Sequence, residues 1–462
     1  MAERIAQVGP MLVAAAILMM VLLTASMFGP AALSSDDFKN LAFAQKMTAG
    51  TLLESNTRPA HNIFRPVGMT VYWVLWRVFA LNPLPYRVVA LIIHLFNVAL
   101  VYSILKFITD SRPGAALGAL LFASQPVFAS IFYDFGTIFE LLAAFWFFTG
   151  IRIYCSAGDT IKGMVFVALA CFLANNAKEM AITLPLVLLL YELLIGRRWK
   201  ASASGSSPAG VLFTVCRHLI LPALVVLWFF LAKLPGVRAT PQSDPYFMDF
   251  SMITLGRGYG WYFNSLYQTH LRWPGWITLA TLAGALFVWK RNYRAFFFLL
   301  YVFLTLIPVV FLVRHRYEFY WYIPFAGLCG LAALLGQSAV IALRERFRRP
   351  LNALVVAAGF GLLWVAQYTV IRRLTLPLQT IVQADAREHL DFVRDLRALA
   401  RPASGETIYF LSVPRNFDED TVPAATQVAL QRPDVQGRQV SSYPPDANWR
   451  FRFENSRLVK QN

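Results

Sequence analysis

Charged side chains are scarce in this chain of 462 residues: Asp, Glu, Lys and Arg together make up 15% of it. In a typical soluble domain these four residue types make up about a quarter of the chain. Hydrophobic residues make up 57% of the chain and recur in long runs. Such runs can cross a bilayer core of about 30 Å as helices. The composition therefore excludes an ordinary soluble protein and predicts an all-α polytopic membrane protein.

Cysteine and histidine are also few. The chain has four cysteines and six histidines, with no C-x-x-C spacing. A disulfide framework and a zinc site are therefore not expected. The formal net charge of +17 does not indicate nucleic-acid binding, because most Lys and Arg stand in short clusters between apolar runs. Clusters in such places set membrane topology.

The alternation of apolar runs and basic clusters predicts about eleven membrane crossings, with Arg4 placing the N-terminus in the cytoplasm. A first outer segment, 34–85, contains the amphipathic, aromatic stretch RPVGMTVYWVLWRVFAL, typical of a helix lying in the membrane interface. A second outer segment, 236–272, is predicted to hold another such helix. The crossings are expected at 11–33, 86–108, 114–132, 136–154, 163–177, 180–195, 218–235, 274–289, 295–313, 320–342 and 351–371.

The C-terminal part of the chain has a different character. The stretch DAREHLDFVRDLRALA has helical spacing of its apolar residues, and ETIYFLSV reads as a short strand. We therefore predict two domains, a membrane domain over 1–374 and a small extracytoplasmic α/β appendage over 375–462.

Several charged residues fall on the predicted outer side, where the positive-inside rule does not explain them. Ionisable groups near membrane depth usually face a cavity or a partner. Groups distant in sequence are therefore expected to converge on one outward-facing site. They are Asp36, Asp37, Arg65, Asp134, Glu140, Lys178, Glu179, Arg314, Arg316 and Glu318.

Each of these residues also has a structural interpretation. Lys178 could extend its ammonium to the interface from a helix end. Glu140 could be a buried acid paired with a base. Arg314 and Arg316 could contact lipid headgroups. The acidic pair Asp36 and Asp37 could flank or cap a helix that starts near Phe38. His61 has no second histidine near it and reads more naturally as a loop residue than as a ligand.

The combination of acids and bases suits one kind of chemistry. A carboxylate can take the proton of an acceptor hydroxyl, and Arg or Lys can stabilise a lipid-linked phosphate as it leaves. Apolar grooves between helices would accept a polyprenyl tail.

These motifs resemble the GT-C superfamily of membrane glycosyltransferases over about residues 10–345, and most of all the protein O-mannosyltransferase-like group that includes transmembrane proteins with tetratricopeptide repeats. The acidic pair in SSDDF follows the first helix, as in that group. The other similar segments are FRPVGMTVYWVLWRVFALNPLPYRVVALIIHLFNVALVY, FELLAAFWFF, AKEMAITLPLVLLLYELL and RHRYEFYWYIPFAGLCG. The long repeat domain of the group is absent from this chain, and YDFGTIFE lacks a Gly-Arg pair before the acid.

The resemblance implies an inverting transfer of one sugar from a polyprenyl-phosphate donor to an extracytoplasmic hydroxyl of a protein Ser/Thr, a lipid or a glycan. It implies a protein of the bacterial inner membrane, with its active site and C-terminus in the periplasm. The catalytic base would be Asp36 or Asp37, with Asp36 favoured. The donor phosphate would be bound by Arg65, Lys178, Arg314 and Arg316. The substrate pocket would include His61, Asp134, Glu140, Glu179, Tyr317 and Tyr322.

No cofactor is expected, because the first outer loop has no Asp-x-Asp motif for a metal. A divalent-metal site built from Asp37 with Asp134 or Glu140 stays open as an alternative. Two other enzymatic or transport functions also stay open: a glycan polymerase or ligase that uses a diphosphate carrier, and a transporter of lipid-linked glycans. A non-enzymatic scaffold that presents the outer tail is a further alternative.

Overall fold

The computed structural model describes residues 2–58, 65–157, 160–196, 208–267, 269–347 and 353–461. These residues are mostly helical, and one small sheet lies near the C-terminus. The chain divides into two compact units, each assembled from separate stretches. The first unit comprises Met1–Val21, Ile93–Ala129 and Glu140–Ile371, and the second comprises Leu22–Ile92, Ser130–Phe139 and Arg372–Asn462.

Helices follow one another along the chain, with short 3₁₀ helices between some of them. The α-helices are α1 (Ala2–Ser26), α2 (Ser35–Lys46), α3 (Ala49–Thr57), α4 (Pro66–Phe79), α5 (Pro83–Thr109), α6 (Arg112–Ala123), α7 (Ile138–Ala157), α8 (Ile161–Ala177), α9 (Leu184–Leu194), α10 (Pro208–Ala239), α11 (Met252–Tyr267), α12 (Trp273–Trp289), α13 (Tyr293–Val310), α14 (Phe325–Phe347), α15 (Ala353–Leu399) and α16 (Thr421–Leu430). The 3₁₀ helices are Pro126–Phe132, Phe135–Thr137, Glu179–Thr183 and Glu318–Trp321. The strands are β1 (Thr407–Phe410), β2 (Gln436–Gln439), β3 (Trp449–Glu454) and β4 (Arg457–Lys460).

Among the described residues, five helices are long and apolar enough to cross a membrane, and a sixth crossing results if one bent helix pair counts as a single span. The five are Pro83–Thr109, Phe135–Ala157, His218–Ala239, Tyr293–Val310 and Phe325–Ala342. Three shorter apolar helices are Met11–Ser26, Ile161–Ala177 and Trp273–Trp289. The chain is therefore an integral membrane protein, as the sequence predicts, whereas the count of eleven crossings is not confirmed.

The first helix is shorter at its C-terminal end than predicted. Helix α1 ends at Ser26, not at residue 33. Gly29 adopts the left-handed conformation (φ +74°), and Pro30 follows it. A left-handed glycine and a proline together are a common way to end a helix. The acidic pair consequently lies on a separate short helix, α2, and not at the end of the first membrane helix.

The predicted crossing at 114–132 is not a single continuous helix. Helix α6 ends at Ala123, and the 3₁₀ helix that begins at Pro126 is bent away from it by 65°. Proline disfavours the helical conformation in the residue before it, here Gln125. The proline therefore explains the bend.

Small residues let the helices of the first unit approach closely. A Cβ on Gly114 of α6 would lie 2.4 Å from the carbonyl oxygen of Ala333 in α14, and a Cβ on Gly118 would lie 2.8 Å from that of Cys329. Beside this contact, the ring of Phe122 packs 5.1 Å from that of Tyr322. The first unit therefore has a dense aromatic core next to a glycine-lined helix pair.

The second unit contains helices α2 to α4 and the whole C-terminal sheet. The strand order is β2-β1-β3-β4, with β1 parallel to both β2 and β3, and β3 antiparallel to β4. The predicted strand in ETIYFLSV is therefore confirmed as β1. Its buried Phe410 contacts Phe392 of α15 at a ring distance of 5.5 Å, so this helix covers the sheet.

Helix α15 differs from the prediction of two separate helices at 351–371 and 385–400. It is continuous from Ala353 to Leu399, although Pro377 lies inside it. A proline removes one backbone hydrogen bond without ending every helix that contains it. The predicted domain boundary at residue 374 therefore falls inside a helix.

Candidate active site

The acidic pair lies in the first turn of α2, which begins in a capping box. Ser34 is the N-cap: its Oγ accepts a hydrogen bond from the Asp37 amide at 3.2 Å, and its own amide donates to Asp37 Oδ2 at 2.7 Å. This arrangement satisfies two backbone amides that the helix leaves unpaired. It also places both carboxyl groups at the positive end of the helix dipole.

The two adjacent acids have opposite environments. The Asp36 side chain is 69% exposed and lies 3.4 Å from Lys39 Nζ. Asp37 is completely buried. Consecutive helical residues project about 100° apart, so the capping box that turns Asp37 inward also turns Asp36 toward solvent.

Asp37 is surrounded by hydrogen-bond donors and by a second acid. Tyr72 Oη of α4 donates to Asp37 Oδ1 at 2.6 Å. Burial raises the pKa of Asp37 from 3.8 to about 7; the charge of Asp134 adds to the rise, and the hydrogen bonds from Tyr72 and Ser34 oppose it. A carboxyl group with a pKa near neutrality is a common feature of catalytic acids and bases.

Asp134 is connected to Asp37 through Ser34. The Ser34 hydroxyl donates to Asp134 Oδ1 at 2.9 Å while it accepts from the Asp37 amide. The Gly136 amide also donates to Asp134 Oδ1 at 2.9 Å, which fixes the acid at the start of the 3₁₀ helix Phe135–Thr137. Two carboxyl groups in such a network influence each other's protonation.

Arg65 lies at the start of α4 in an unusual backbone conformation. Its φ is +58°, in the left-handed region, which is rare for a residue with a side chain and is often found at functional sites. Its guanidinium lies 5.8 Å from the centre of the Phe139 ring. Gly68, one turn further, lets α4 approach the same ring, because a Cβ there would lie 2.2 Å from it.

Within the first unit, Lys178 and Glu140 form a buried ion pair. Lys178 is the C-cap of α8, is 5% exposed, and lies 5.0 Å from the ring of Tyr320. Glu140 is 4% exposed and belongs to α7. A buried ion pair is costly to break by removal of one partner. The structure thus matches the interpretation of Glu140 as a buried acid paired with a base.

The loop that follows α13 carries Arg314 and Arg316 in different surroundings. Arg314 is exposed and donates to the Ser243 carbonyl at 3.2 Å. Arg316 is half-buried and donates from Nε to the Leu312 carbonyl at 2.9 Å. Burial lowers the pKa of Arg316, and the nearby charge of Arg257 lowers it further.

Arg257 and Tyr262, both on α11, were not predicted from the sequence. Arg257 adds a second positive charge near Arg316. The buried Tyr262 hydroxyl also interacts with Arg316 and has no hydrogen-bond partner among the described residues. Arg257 could have been recognised as a basic residue in the amphipathic stretch LGRGYGWYF of the second outer segment.

The other predicted pocket residues that the structure describes in the first unit differ in their exposure to solvent. Tyr317 is 46% exposed, and its ring stacks on Phe319 at 5.0 Å. Glu179 is half-buried at the start of its 3₁₀ helix. Tyr322 is a core residue, 1% exposed, whose hydroxyl lies 2.7 Å from His94 Nδ1.

The predicted residues thus fall into two groups. Asp36, Asp37, Arg65 and Asp134 belong to the second unit, whereas the first contains Glu140, Lys178, Glu179, Arg314, Arg316, Tyr317 and Tyr322. His61 lies outside the described residues. The convergence of all of them on one pocket stays a prediction. Within the described part of the chain, no three His, Cys, Asp or Glu residues cluster as metal ligands would.

Comparisons with known proteins bear on the fold. No protein-family model matches the chain, and no curated protein matches its sequence. The structure is similar to that of ArnT from Cupriavidus metallidurans in the apo state, with a TM-score of 0.52 and 13% identity over 94% of this chain and 86% of that one. A structure of the same ArnT bound to undecaprenyl phosphate gives a TM-score of 0.48 and 16% identity over 93% and 85%. The chain therefore has an ArnT-like fold.

Proposed function

We propose that this protein is an inverting glycosyltransferase that moves one sugar from a polyprenyl-phosphate donor to an extracytoplasmic hydroxyl. Three features support the proposal: apolar helices that can hold a lipid carrier, the ArnT-like fold, and the sequence motifs shared with GT-C enzymes. The observation that carries it is the buried Asp37 carboxyl group, held by Tyr72 and Ser34 and with its pKa raised to about 7.

Asp37 is better suited than Asp36 to act as the general base. In the proposed step the acceptor hydroxyl gives its proton to the Asp37 carboxylate, and the acceptor oxygen forms a bond to the anomeric carbon. The bond from that carbon to the phosphate oxygen breaks, and polyprenyl phosphate leaves with the electron pair. A base is most effective when its pKa lies near the working pH. Asp36 is exposed and ion-paired with Lys39, which makes it the weaker candidate.

Positive groups are required where charge develops on the leaving phosphate. We propose Arg65, Lys178, Arg314 and Arg316 for this role, and we add Arg257. The proximity of Arg257 to the half-buried Arg316 favours these two most, because their mutual repulsion would be relieved by an anion. Lys178 already has Glu140 as a counter-ion, so its charge is largely compensated.

The finer assignments follow the sequence resemblance. The acceptor is a protein Ser/Thr, a lipid or a glycan, and the protein O-mannosyltransferase-like group is the proposed relative. We propose that the enzyme lies in the bacterial inner membrane with its active site in the periplasm. The step needs no metal, since a carboxylate base and cationic side chains supply its chemistry.

The decisive experiment combines cells and purified protein. Mass spectrometry of envelope proteins, lipids and glycans is compared between cells with the active protein and cells that lack it. A fixed mass difference of one hexose or pentose identifies sugar and acceptor. The purified protein is then given the same sugar on a polyprenyl monophosphate or a polyprenyl diphosphate. Turnover of the diphosphate alone would replace the proposal by a glycan polymerase or ligase.

Matched variants of the acidic pair identify the base. Asp37→Asn should lower the turnover number about 10²- to 10⁴-fold, the usual range for loss of general acid–base catalysis, while undecaprenyl phosphate still binds. Asp36→Asn changes a neighbouring exposed acid by the same chemistry and should retain turnover within a few-fold. The assignment of Asp37 is refuted if the two variants exchange these results.

A further inference from the structure

The C-terminal part of the second unit contacts the helix that carries the proposed base. Lys39 Nζ of α2 lies 2.7 Å from Asp418 Oδ2. The ring of Phe38, its neighbour, packs edge-on against Phe417 at 5.6 Å and against His389 of α15 at 5.9 Å. Together these contacts fix α2 through both a buried aromatic cluster and an ion pair.

His389 also forms a hydrogen bond with the peptide group that precedes the capping box. Its Nδ1 lies 2.9 Å from the Leu33 carbonyl oxygen. A carbonyl only accepts hydrogen bonds, so Nδ1 carries the proton in this contact. The same Leu33–Ser34 peptide donates its N–H to Asp37 Oδ2 at 2.7 Å. A continuous chain of hydrogen bonds therefore runs from the His389 imidazole through one peptide group to the Asp37 carboxyl.

Such a chain of hydrogen bonds affects both the orientation of the Leu33–Ser34 peptide and the strength of its hydrogen bond to Asp37. A peptide whose carbonyl accepts a hydrogen bond becomes a better donor at its N–H, because the two bonds polarise each other. His389 therefore fixes the orientation of the peptide and strengthens the hydrogen bond that favours ionised Asp37. The imidazole is 5% exposed, and its Nε2 has no hydrogen-bond partner among the described residues, so its one polar contact is directed at this peptide.

The ionisable groups around His389 have partners of their own. Glu388 accepts from the Arg415 amide at 3.2 Å, and Asp385 accepts from the Asn416 side chain at 2.5 Å. Burial lowers the pKa of His389, against the opposing effects of the Leu33 carbonyl and these two acids. The neutral imidazole that donates from Nδ1 is therefore the form present at neutral pH.

Asp418 joins the same arrangement to the tail helix α16. Besides its ion pair with Lys39, its Oδ1 accepts from the Thr421 amide at 2.7 Å and from the Thr421 hydroxyl at 2.6 Å. One carboxylate thus accepts hydrogen bonds from Thr421, the first residue of α16, and forms an ion pair with α2. Residues of the C-terminal domain therefore contribute to the support of the acidic helix.

From these contacts we propose that His389 is a positioning residue for the transfer reaction, acting on Asp37 through the Leu33–Ser34 peptide, and that the Lys39–Asp418 pair holds α2 in the position this requires. The proposal rests on the proposed function, in which Asp37 is the base. It assigns to the C-terminal domain a role in catalysis that does not involve contact with substrate.

The test uses the full-length protein in lipid nanodiscs, with the donor and acceptor identified by mass spectrometry. His389→Leu removes the hydrogen-bond donor, and His389→Asn retains an N–H at the position of Nδ1. His389→Leu should lower the turnover number about 10- to 100-fold, the size of effect expected from a small misplacement of a catalytic group. Its KM for the donor should change less than twofold. The acid limb of the pH–rate profile should move to higher pH, because ionised Asp37 loses support.

His389→Asn should restore turnover to within about threefold of the unaltered protein and return the acid limb to its place. A purely structural role would predict a different pattern, in which both variants lose thermal stability and activity together and neither moves the pH profile. That pattern, or full turnover in His389→Leu, would overturn the proposal.

The ion pair is tested by a double-mutant cycle. Lys39→Met keeps the apolar stem, and Asp418→Asn keeps an oxygen that can accept from Thr421. If the pair acts as a unit, the double variant should be no slower than either single variant. Arg58→Ala breaks the exposed Arg58–Glu54 pair of the same unit, whose atoms are 3.0 Å apart, and should leave turnover unchanged. Additive losses in the cycle would contradict a role for the pair.

Failure of this inference is distinct from failure of the proposed function. If Asp37→Asn abolishes turnover and His389→Leu does not, only the positioning role is lost. If Asp37→Asn retains turnover, the assignment of the base is wrong whatever the His389 variants do.

Discussion

At the scale of single residues, the informative feature is the difference between two neighbouring aspartates. Asp36 and Asp37 are identical in chemistry and adjacent in sequence, yet one is exposed and the other buried. The difference comes from the capping box with Ser34, which fixes the rotation of α2 about its axis. Asp37 is then directed at Tyr72, whose ring packs 4.9 Å from Phe135.

The neighbours of Asp37 should move its titration in opposite directions. Tyr72 lowers the pKa of Asp37 by hydrogen bonding, and the charge of Asp134 raises it. Since the base must be ionised, the acid limb of kcat/KM should lie near pH 7. Tyr72→Phe should move that limb to higher pH, and Asp134→Asn should move it to lower pH. Steady-state rates between pH 5 and 9 measure both shifts, and shifts in the same direction would refute the network.

The buried carboxyl should also make stability depend on pH. The pKa of Asp37 rises from 3.8 to about 7 in the folded protein, so the folded state binds its proton more tightly than the unfolded state does. Stability is therefore unaffected by this group at low pH and falls as the pH rises from about 4 to 7. At about 1.4 kcal/mol for each unit of pKa, the loss is about 4 kcal/mol at most.

Asp37→Asn should remove this dependence. Its thermal midpoint in detergent should change less between pH 5 and 8 than that of the unaltered protein, and at pH 8 it should be the more stable of the two. Asp36→Asn, which changes an exposed carboxyl, should keep the original slope. Equal slopes in all three proteins would mean that Asp37 is not held as the structure indicates.

The sequence predicted which residue types matter better than it predicted their partners. It identified the acidic pair, Glu140 and Lys178 as unusual, because charge at those places conflicts with topology. It could not choose Asp37 over Asp36, since that choice depends on the rotation of a helix set by Ser34. Nor could it pair Glu140 with Lys178, 38 residues apart, because that contact depends on the packing of α7 against the end of α8.

At the scale of elements, glycine and proline decide where prediction succeeds and fails. The amphipathic stretch after Arg65 is confirmed as the helix α4, because its apolar spacing is regular and Pro66 suits a first helical turn. The first crossing was predicted too long, since the left-handed Gly29 and Pro30 were read as part of an apolar run. The long helix α15 is divided in the prediction, because its composition changes from apolar to charged around Pro377, and a proline commonly ends a helix.

The contact of α4 with Phe139 gives a prediction at this scale. Gly68→Ala would place a Cβ 2.2 Å from the Phe139 ring, so it should destabilise the protein by about 1–3 kcal/mol, as overpacking does. Gly50→Ala in α3 is the control, because the nearest atom to its Cβ would be 3.7 Å away. It should be neutral or slightly stabilising, since alanine favours a helix over glycine.

Thermal midpoints of purified Gly68→Ala and Gly50→Ala measure the difference. Adding Phe139→Leu to Gly68→Ala should recover part of the loss, because the smaller side chain leaves room for the new methyl group. If Gly68→Ala is as stable as Gly50→Ala, the close approach of α4 to Phe139 is wrong.

At the scale of the whole molecule, the two units are interleaved along the chain. The second unit takes its acidic helix α2 from the first outer segment, Asp134 from a short stretch between two apolar helices, and its sheet from the C-terminus. The sequence prediction divides the chain once, into an N-terminal membrane domain and a C-terminal appendage, because its composition changes only once. Such a single division does not describe units that are built from several separate stretches. The contacts of Phe38 and Lys39 with the tail depend on residues more than 300 positions away.

The orientation of the chain in the membrane is the remaining prediction at this scale. Basic clusters such as GRRWK, residues 196–200, are expected in the cytoplasm. The acidic helix and the C-terminal domain, which share one unit, are expected outside. With a cytoplasmic N-terminus, an even number of crossings before GRRWK and an odd total satisfy both conditions. Alkaline phosphatase fused after residue 462 should therefore be active, and green fluorescent protein fused there should be dark. Inserted within 197–207, each reporter should give the opposite result. A fluorescent C-terminal fusion would place Asp37, which shares a unit with the C-terminus, on the cytoplasmic side, where the proposed extracytoplasmic acceptor is absent. An active phosphatase inserted within 197–207 would contradict the expected topology.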